Sequence, residues 1–301
     1  MNGVQTMVRL LQDAHGNGYA VGSFSARYTK LIRPIILAAV KTNSPVIVQL
    51  SEKEIIRHKV SLKAFAEEFQ RVVSELQPQI PLALHLDHTK TIDVIKAAID
   101  VGFTSVMIDA SEKDFDENAA ITKTVVDIAH ARQVSVEGEL GKIGTTDMVE
   151  TDSDHVLFTN PLEALQFIQI TGVDALAISV GTSHGLYTTT QPRIEYSIIE
   201  AINRLTTTPL VLHGGSGVPS EMLSYAINME SGGVSKVNIA TDLEQMLLKC
   251  LGKHTHMTEA ELNAVDPASL EAARRAVQSL VEDKIVNYVC SAGRAVKALN
   301  K

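Results

Sequence analysis

The feature that most constrains the fold is a short apolar run, typical of a β-strand, that recurs eight times along the chain. The runs are YAVGSF from Tyr19, PVIVQL from Pro45, PLALHL from Pro81, TSVMID from Thr104, VSVEGE from Val134, DALAIS from Asp174, PLVLH from Pro209 and SKVNIA from Ser235. Most are nearly continuous in apolar residues, as expected of parallel strands that are buried on both faces. The pattern therefore favours a parallel sheet.

Stretches with helical spacing lie between these runs. KLIRPIILAAVKT (30–42), TIDVIKAAIDVG (91–102) and NPLEALQFIQITG (160–172) have apolar residues spaced near 3.6, and the last begins with Asn-Pro and ends at Gly172. The alternation and a C-terminal helix predict an α/β protein with a (β/α)8 TIM barrel. The alternative, a doubly wound open sheet, usually has a Gly-rich turn after its first strand, and SFSARYTK (23–30) is not one.

Composition limits the domain organisation and the partners. No long Pro-, Gly- or Ser-rich linker divides the 301 residues, so we expect one domain over residues 1–301 with a C-terminal helical extension. A net charge of -8, 4% aromatic residues and no tryptophan argue against nucleic-acid binding. No apolar run approaches the roughly 18 residues of a membrane span. Two cysteines and no signal-peptide pattern favour a reduced, cytoplasmic setting.

Histidines and carboxylates follow the strand runs, where the active sites of barrels lie. They are Asp87 and His88 after the third run, Asp109 after the fourth, Glu137 and Glu139 in the fifth, His184 after the sixth and His213 at the end of the seventh. Asn238 and Thr241 lie at the end of the eighth run. We therefore expect these side chains to converge on one rim of the barrel.

Three of these residues, His88, His184 and His213, form a candidate metal site. Three imidazoles with open positions are the ligand set of a catalytic zinc ion, although imidazole also suits other divalent metals. Any one of them could instead be a rim histidine that only forms hydrogen bonds. His85 should face the same side as Asp87. The remaining histidines fall in helices or loops and are expected at the surface: His15, His58, His130, His155, His254 and His256.

A candidate phosphate site follows the seventh and eighth runs. LHGGSGVP (212–219) places Gly214, Gly215 and Ser216 directly after the seventh, and KVNIATDL (236–243) places Asn238 and Thr241 at the end of the eighth. Glycines let backbone N–H groups approach an oxyanion, and barrels commonly bind phosphate at these two loops. The sequence therefore predicts a phosphate pocket within reach of the metal.

Several motifs in order resemble the class II, metal-dependent ketose-bisphosphate aldolases. They are LHLDH (84–88), GFTSVMIDAS (102–111), VSVEGELGKIG (134–144), GTSHGLY (181–187), PLVLHGGSG (209–217) and KVNIATDL (236–243). The resemblance runs from about Tyr19 to near Ala292. Ala240 and the segment DPASLEAARRAV (266–277) are more similar to the tagatose-bisphosphate aldolase branch.

The resemblance implies a function, a set of site residues and partners. The chain would reversibly cleave a ketose 1,6-bisphosphate to dihydroxyacetone phosphate and an aldehyde such as glyceraldehyde 3-phosphate. His88, His184 and His213 would bind zinc or another divalent metal. Glu139 would lie close to the metal, either as an alternate ligand or in contact with the ligands, and Asp87 would transfer the proton of the C4 hydroxyl. Dihydroxyacetone phosphate would be bound by Gly185, Gly214, Gly215, Ser216, Asn238, Ile239, Ala240 and Thr241. Family members are usually homodimers or homotetramers, and some bind a monovalent cation near the phosphate.

The general base would lie on the loop after the fifth strand, and alignment from Glu139 points to Asp147, with Glu150 as the alternative. This chemistry needs positioned carboxylates and a Lewis acid, and no lysine Schiff base. Lys236 is therefore expected to be structural or electrostatic.

The chain departs from the family pattern in the parts that would contact the aldehyde half of the substrate. Ser25 stands where the family has asparagine, and the β-branched pair Thr145 and Thr146 should make the loop after the fifth strand stiffer than in the family. Arg27 could bind a second anionic group or be a solvated residue at a helix start. An aldolase for a different phosphorylated ketose and a non-catalytic, aldolase-like partner protein are therefore alternatives. A metal-dependent hydrolase is disfavoured, because the His-x-His of those barrels is absent from the first strand.

Overall fold

The eight predicted runs form eight parallel strands that close into a barrel in a computed structural model, which describes residues 3–145, 158–185, 187 and 192–295. The strands are β1 Val21–Ser25, β2 Val46–Ser51, β3 Leu82–Thr89, β4 Ser105–Ile108, β5 Ser135–Leu140, β6 Ala175–Ile178, β7 Leu210–Leu212 and β8 Lys236–Ile239. Each strand pairs with the next along the chain, and β8 pairs with β1. The (β/α)8 prediction is confirmed.

Helices separate and surround the strands. They are α1 Met7–Ala14, α2 Ile32–Lys41, α3 Glu52–His58, α4 Leu62–Leu76, α5 Ile92–Asp100, α6 Phe115–His130, α7 Pro161–Thr171, α8 Tyr196–Leu205, α9 Ser220–Ile227, α10 Thr241–Cys250, α11 Glu259–Asn263 and α12 Pro267–Asp283. The predicted start and stop of α7 are confirmed. The Asn160 side chain accepts hydrogen bonds from two backbone N–H groups of the first turn, and Gly172 ends the helix with φ 72°.

The C-terminal helices pack on the outside of the barrel. α12 packs against α2 and α10, and a short π-helical turn, Lys284–Tyr288, follows it. These contacts are in line with a single unit, although the single domain over residues 1–301 stays a prediction. Among the residues with assigned positions, no helix combines the length and the apolar character needed to span a bilayer.

The strand side chains alternate between two environments. Apolar residues such as Val48 and Leu86 face outward into the core that the helices cover. At the N-terminal ends of the strands, α1 closes the barrel, and Met7 and Leu11 pack against inward-facing Ile47 and Met107. Further along the strands, buried polar side chains fill the interior, namely Gln49, His85, Glu137 and Lys236. The apolar runs therefore place polar groups at alternate, inward positions toward the C-terminal rim.

Candidate metal centre and substrate pocket

The three predicted metal ligands meet at the C-terminal rim of the barrel. Nε2 of His88 lies 3.0 Å from Nε2 of His184 and 2.6 Å from Nδ1 of His213, and the latter two nitrogens are 3.4 Å apart. Nitrogen ligands of one tetrahedral zinc ion are separated by about 3.3 Å. The imidazoles therefore fit a divalent ion with only small movements of the rings.

His88 reaches this cluster because strand β3 is irregular at its end. Its pairing with β4 shifts register between Leu86 and Thr89, and His88 has φ 35°, in the left-handed region. In a regular strand, Asp87 and His88 would point to opposite faces. A bulge re-aims a side chain, and the unusual backbone angle brings both neighbours to the site.

Carboxylates contact the far nitrogens of two of the imidazoles. Nδ1 of His88 lies 3.2 Å from Oδ2 of Asp109, and Nε2 of His213 lies 2.8 Å from Oε1 of Glu137. Carboxylates in this position orient a metal-binding imidazole and fix the nitrogen that carries the proton. Sequence reasoning assigned no role to Glu137, although the alternation in β5 places it on the same face as Glu139.

Glu139 lies beside His88 but outside the group formed by the three imidazoles. Its Oε2 is 3.7 Å from Nδ1 of His88, the nitrogen that faces away from His184 and His213. Together with Asp109 and His88 it forms a second group of ligand atoms within 4.8 Å of one another. Burial, with the nearby charge of Asp109, raises the pKa of Glu139 to about 8. Its role as an alternate ligand stays a prediction.

Asp87 is buried and held by hydrogen bonds next to the imidazole cluster. Nε2 of Gln49 and Nδ2 of Asn238 each donate to one of its carboxylate oxygens at 3.0 Å. Burial opposes ionisation, but the charge of His88, a hydrogen bond from His85 and the charge of Lys236 hold the pKa of Asp87 well below its usual value. The sequence analysis did not identify Gln49. It could have been found as the polar residue that interrupts the apolar run PVIVQL at an inward position.

The predicted phosphate residues lie beside the cluster, in the turn after β7 and at the end of β8. Gly214 has φ 67°, and a Cβ there would come within 2.3 Å of the carbonyl oxygen of Ser183, so only glycine fits. Ser216 Oγ accepts hydrogen bonds from the N–H groups of Ala240 and Asp242 at the start of α10. The predicted residues that line the same cavity as the metal site are Gly185, Gly214, Ser216, Asn238, Ala240 and Thr241.

Other predicted site residues do not line this cavity. The side chain of Ile239 is buried in the outer core beneath the helices, because alternation along β8 turns it away from Asn238 and Ala240. Gly215 donates its N–H to the carbonyl oxygen of Asn238 at 3.1 Å and supports the turn. Asp147 and Glu150 lie outside the described residues.

The part of the cavity wall formed by Arg27 and Glu54, called the far wall below, differs from the expected exposed arginine. Its guanidinium is buried between Glu54 and Glu244, with Nε 2.7 Å from Oε1 of Glu54, so it is not a solvated residue. Ser25 Oγ donates to the other oxygen of Glu54 at 2.6 Å. Two carboxylates already neutralise Arg27, which weakens its case as a receptor for a second anionic group.

Lys236 is fully buried beneath the imidazole cluster. Its ammonium donates to Oε2 of Glu137 at 2.7 Å and lies 3.9 Å from Oδ1 of Asp87. An ammonium between two carboxylates in the interior has an electrostatic role, which is one of the two roles expected from the sequence. It also links the carboxylate that orients His213 to Asp87.

The chain is similar to known aldolases over nearly its whole length. The family model for fructose-bisphosphate aldolase class-II matches residues 5–294. A fructose-bisphosphate aldolase of Geobacillus stearothermophilus is 36% identical over 293 residues, which cover 97% of this chain and 99% of that protein. One from Staphylococcus aureus (strain N315) is 36% identical over 284 residues, covering 94% of this chain and 96% of that protein.

Solved structures of aldolases share the fold. The crystal structure of the YdjI aldolase from Escherichia coli K12 superposes with a TM-score of 0.81 at 28% identity and covers 97% of this chain and 99% of that one. A putative fructose-1,6-bisphosphate aldolase from Coccidioides immitis gives the same TM-score of 0.81, identity of 28% and coverage of 97% and 99%. The chain belongs to the class-II fructose-bisphosphate aldolase family, a family of metal-dependent aldehyde-lyases.

Proposed function

We propose that this protein is a zinc-dependent aldolase that reversibly cleaves a ketose 1,6-bisphosphate, of the tagatose or fructose type. The products would be dihydroxyacetone phosphate and an aldehyde such as glyceraldehyde 3-phosphate. The observation that carries the proposal is the approach of the His88, His184 and His213 nitrogens to within 2.6–3.4 Å. His88 and His184 line a cavity of about 480 Å³ that is also lined by Asp87 and by Gly214 of the glycine turn.

A divalent ion at the three imidazoles would supply a Lewis acid for the carbonyl of the ketose. Asp87 would take and return the proton of the C4 hydroxyl, and the position of its carboxylate in the cavity wall next to the cluster supports this role. Gln49 and Asn238 hold both of its oxygens, which fixes the carboxylate in one orientation. Zinc is proposed because three imidazoles with an open position are the ligand set of a catalytic zinc ion, whereas Mg²⁺ and Ca²⁺ prefer oxygen ligands.

The phosphate of dihydroxyacetone phosphate would bind at Gly185, Gly214, Ser216 and the start of α10. Backbone N–H groups at a helix N-terminus attract an anion, and Thr241 lies at the first position of that helix. The negative charge of the phosphate would also suit a monovalent cation at this end of the cavity.

The same proposal includes a homodimer or homotetramer, which light scattering tests. It also includes a cytoplasmic location, which cell fractionation tests.

The second candidate is an aldolase for a different phosphorylated ketose. It is favoured by the far wall of the cavity, where Ser25 is engaged by Glu54 and Arg27 by Glu54 and Glu244. These residues are not free to bind the second phosphate of a bisphosphate in this arrangement. The aldehyde half of the substrate is therefore the part that distinguishes the two candidates.

The test is release of dihydroxyacetone phosphate from a panel of ketose phosphates by the purified protein. The panel includes fructose and tagatose 1,6-bisphosphate and ketose 1-phosphates that lack the second phosphate. We expect cleavage that a chelator abolishes, that Zn²⁺ restores and that the His213→Ala variant lacks. Cleavage that survives chelation would overturn the metal assignment, and no release from any ketose would overturn the aldolase proposal. Cleavage of a 1-phosphate alone would favour the second candidate.

A further inference from the structure

A separate group of metal-type ligands, which shares no residue with the imidazole cluster, lies between α3, α10 and the loop before α11. His58 at the end of α3, Glu244 on α10 and His256 in the loop before α11 place their ligand atoms within 4.8 Å of one another. Nδ1 of His256 lies 2.8 Å from Oε1 of Glu244, and Nε2 of His58 lies 3.8 Å from the same oxygen. Two regions that are far apart in the sequence, the end of α3 and the segment from α10 to the loop before α11, therefore direct two imidazoles and a carboxylate to one point.

His58 provides an unused, buried lone pair. The residue is fully buried, contrary to the surface position expected from the sequence. Its Nδ1 lies 2.9 Å from the carbonyl oxygen of Met257. Because a carbonyl only accepts, Nδ1 must carry the proton, and Nε2 is left with a lone pair. That Nε2 is buried and makes no hydrogen bond among the described residues. A buried polar atom without a partner calls for an explanation, such as a missing ion.

Glu244 is oriented as a ligand carboxylate would be. One oxygen, Oε2, pairs with Arg27, and the other, Oε1, faces the two histidines and the hydroxyl of Tyr28, which is 3.3 Å away. A metal-binding carboxylate is usually held by a second group in this way. The side chain of Glu244 is buried, whereas that of His256 is half exposed, so the point has access to solvent on one side.

We propose that His58, Glu244 and His256 form a second site for a divalent transition metal such as Zn²⁺, with water completing the coordination. Two histidines and a glutamate are an established zinc ligand set. Ligand atoms around one such ion are about 3.3 Å apart, so His58 and Glu244 need to approach by only a few tenths of an ångström. The ion would join α3, α10 and the loop before α11. The ion would also stabilise the cavity wall, because Glu244 pairs with Arg27 there. The proposal of this second site does not rest on the proposed function.

The experiment counts zinc ions and assigns them to the two sites. Metal-free protein is titrated with Zn²⁺ by calorimetry, and metal content is measured after gel filtration. The variants are His213→Ala, His256→Ala and the double variant. His254→Ala is the control, because His254 is an exposed histidine in the same loop and is not part of the cluster. His256 is exposed enough for its removal to leave the fold intact.

We expect about two equivalents of Zn²⁺ in the wild type and in His254→Ala, about one in each single variant, and almost none in the double variant. Zn²⁺ should also raise the thermal midpoint of His213→Ala but not that of the double variant. Equal zinc content in wild type and His256→Ala would overturn the proposal. So would equal losses in His254→Ala and His256→Ala, or a second equivalent with a dissociation constant above about 1 mM. Failure of cleavage alone would not affect this result.

Discussion

Glu137 and His213 form a direct contact beneath the imidazole cluster, with Oε1 of Glu137 2.8 Å from Nε2 of His213. The other ring nitrogen, Nδ1, faces His88 at 2.6 Å. Because the carboxylate accepts the proton of Nε2, the lone pair of Nδ1 stays available for a metal. The same glutamate accepts from Lys236, so one buried carboxylate both orients a ligand and balances an ammonium.

Changing Glu137 to Gln should weaken zinc binding by about 10- to 100-fold, because the neutral amide no longer makes His213 a stronger ligand. Competition with a chromophoric chelator measures the affinity. Glu112→Gln is the control, since Glu112 pairs with Lys90 at the exposed rim of the same cavity. An affinity within about twofold of the wild type would show that Glu137 does not tune the site.

Changing Lys236 to Met should lower the free energy of unfolding by about 3–5 kcal/mol, because it leaves the buried charge of Glu137 without its partner. Urea unfolding of the metal-free protein measures the loss. The matched control is Lys123→Met, which breaks the exposed pair with Asp127 on α6 and should cost less than about 1 kcal/mol. Similar small losses in both variants would contradict the electrostatic role.

Changing Asp87 to Asn should lower turnover by about 10²- to 10⁴-fold while the protein keeps its zinc, because the amide cannot take a proton. Asp109→Asn is the comparison, since Asp109 contacts Nδ1 of His88 and should act on zinc affinity first. Steady-state kinetics and metal analysis on the same samples separate the two effects. Loss of zinc from Asp87→Asn would instead assign Asp87 to metal binding.

Changing Gly214 to Ala should impair both substrate and zinc binding, because the new Cβ would meet the carbonyl oxygen of Ser183 at 2.3 Å, next to His184. Gly252→Ala is a matched control, since Gly252 also has positive φ, 62°, but open space around it. That control should lose about 1–2 kcal/mol of stability and keep its KM. Equal KM values in the two variants would contradict the predicted phosphate turn.

The identity of the general base is tested by Asp147→Ala and Glu150→Ala. We expect Asp147→Ala to lower turnover by about 10²-fold or more with unchanged zinc content, because it deletes the proposed general base, which is distinct from Asp87. Glu150→Ala should remain near the wild-type rate. The reverse result would assign the base to Glu150, and two active variants would place it elsewhere.

Among the residues with assigned positions, each predicted run became a strand, and the predicted caps of α7 at Asn160 and Gly172 formed. These features depend on local periodicity and on residues with special backbone preferences, which a sequence displays directly. The order of the motifs also predicted the family, and the histidines after strands three, six and seven predicted that three imidazoles meet at one rim. That inference succeeds because parallel strands in a closed barrel bring their C-terminal ends to one rim.

Tertiary structure alone decided which groups meet and which face away. The bulge at the end of β3 turns His88 inward, and no local signal predicts its φ of 35°. Arg27 is buried by Glu54 and by Glu244, which lies 217 residues away in the sequence, and His58 is buried rather than exposed. Contacts of this kind depend on how the barrel closes and on which helices pack together. From the sequence alone, a charged or polar residue is therefore predicted to be exposed to solvent, because its distant partners are not known.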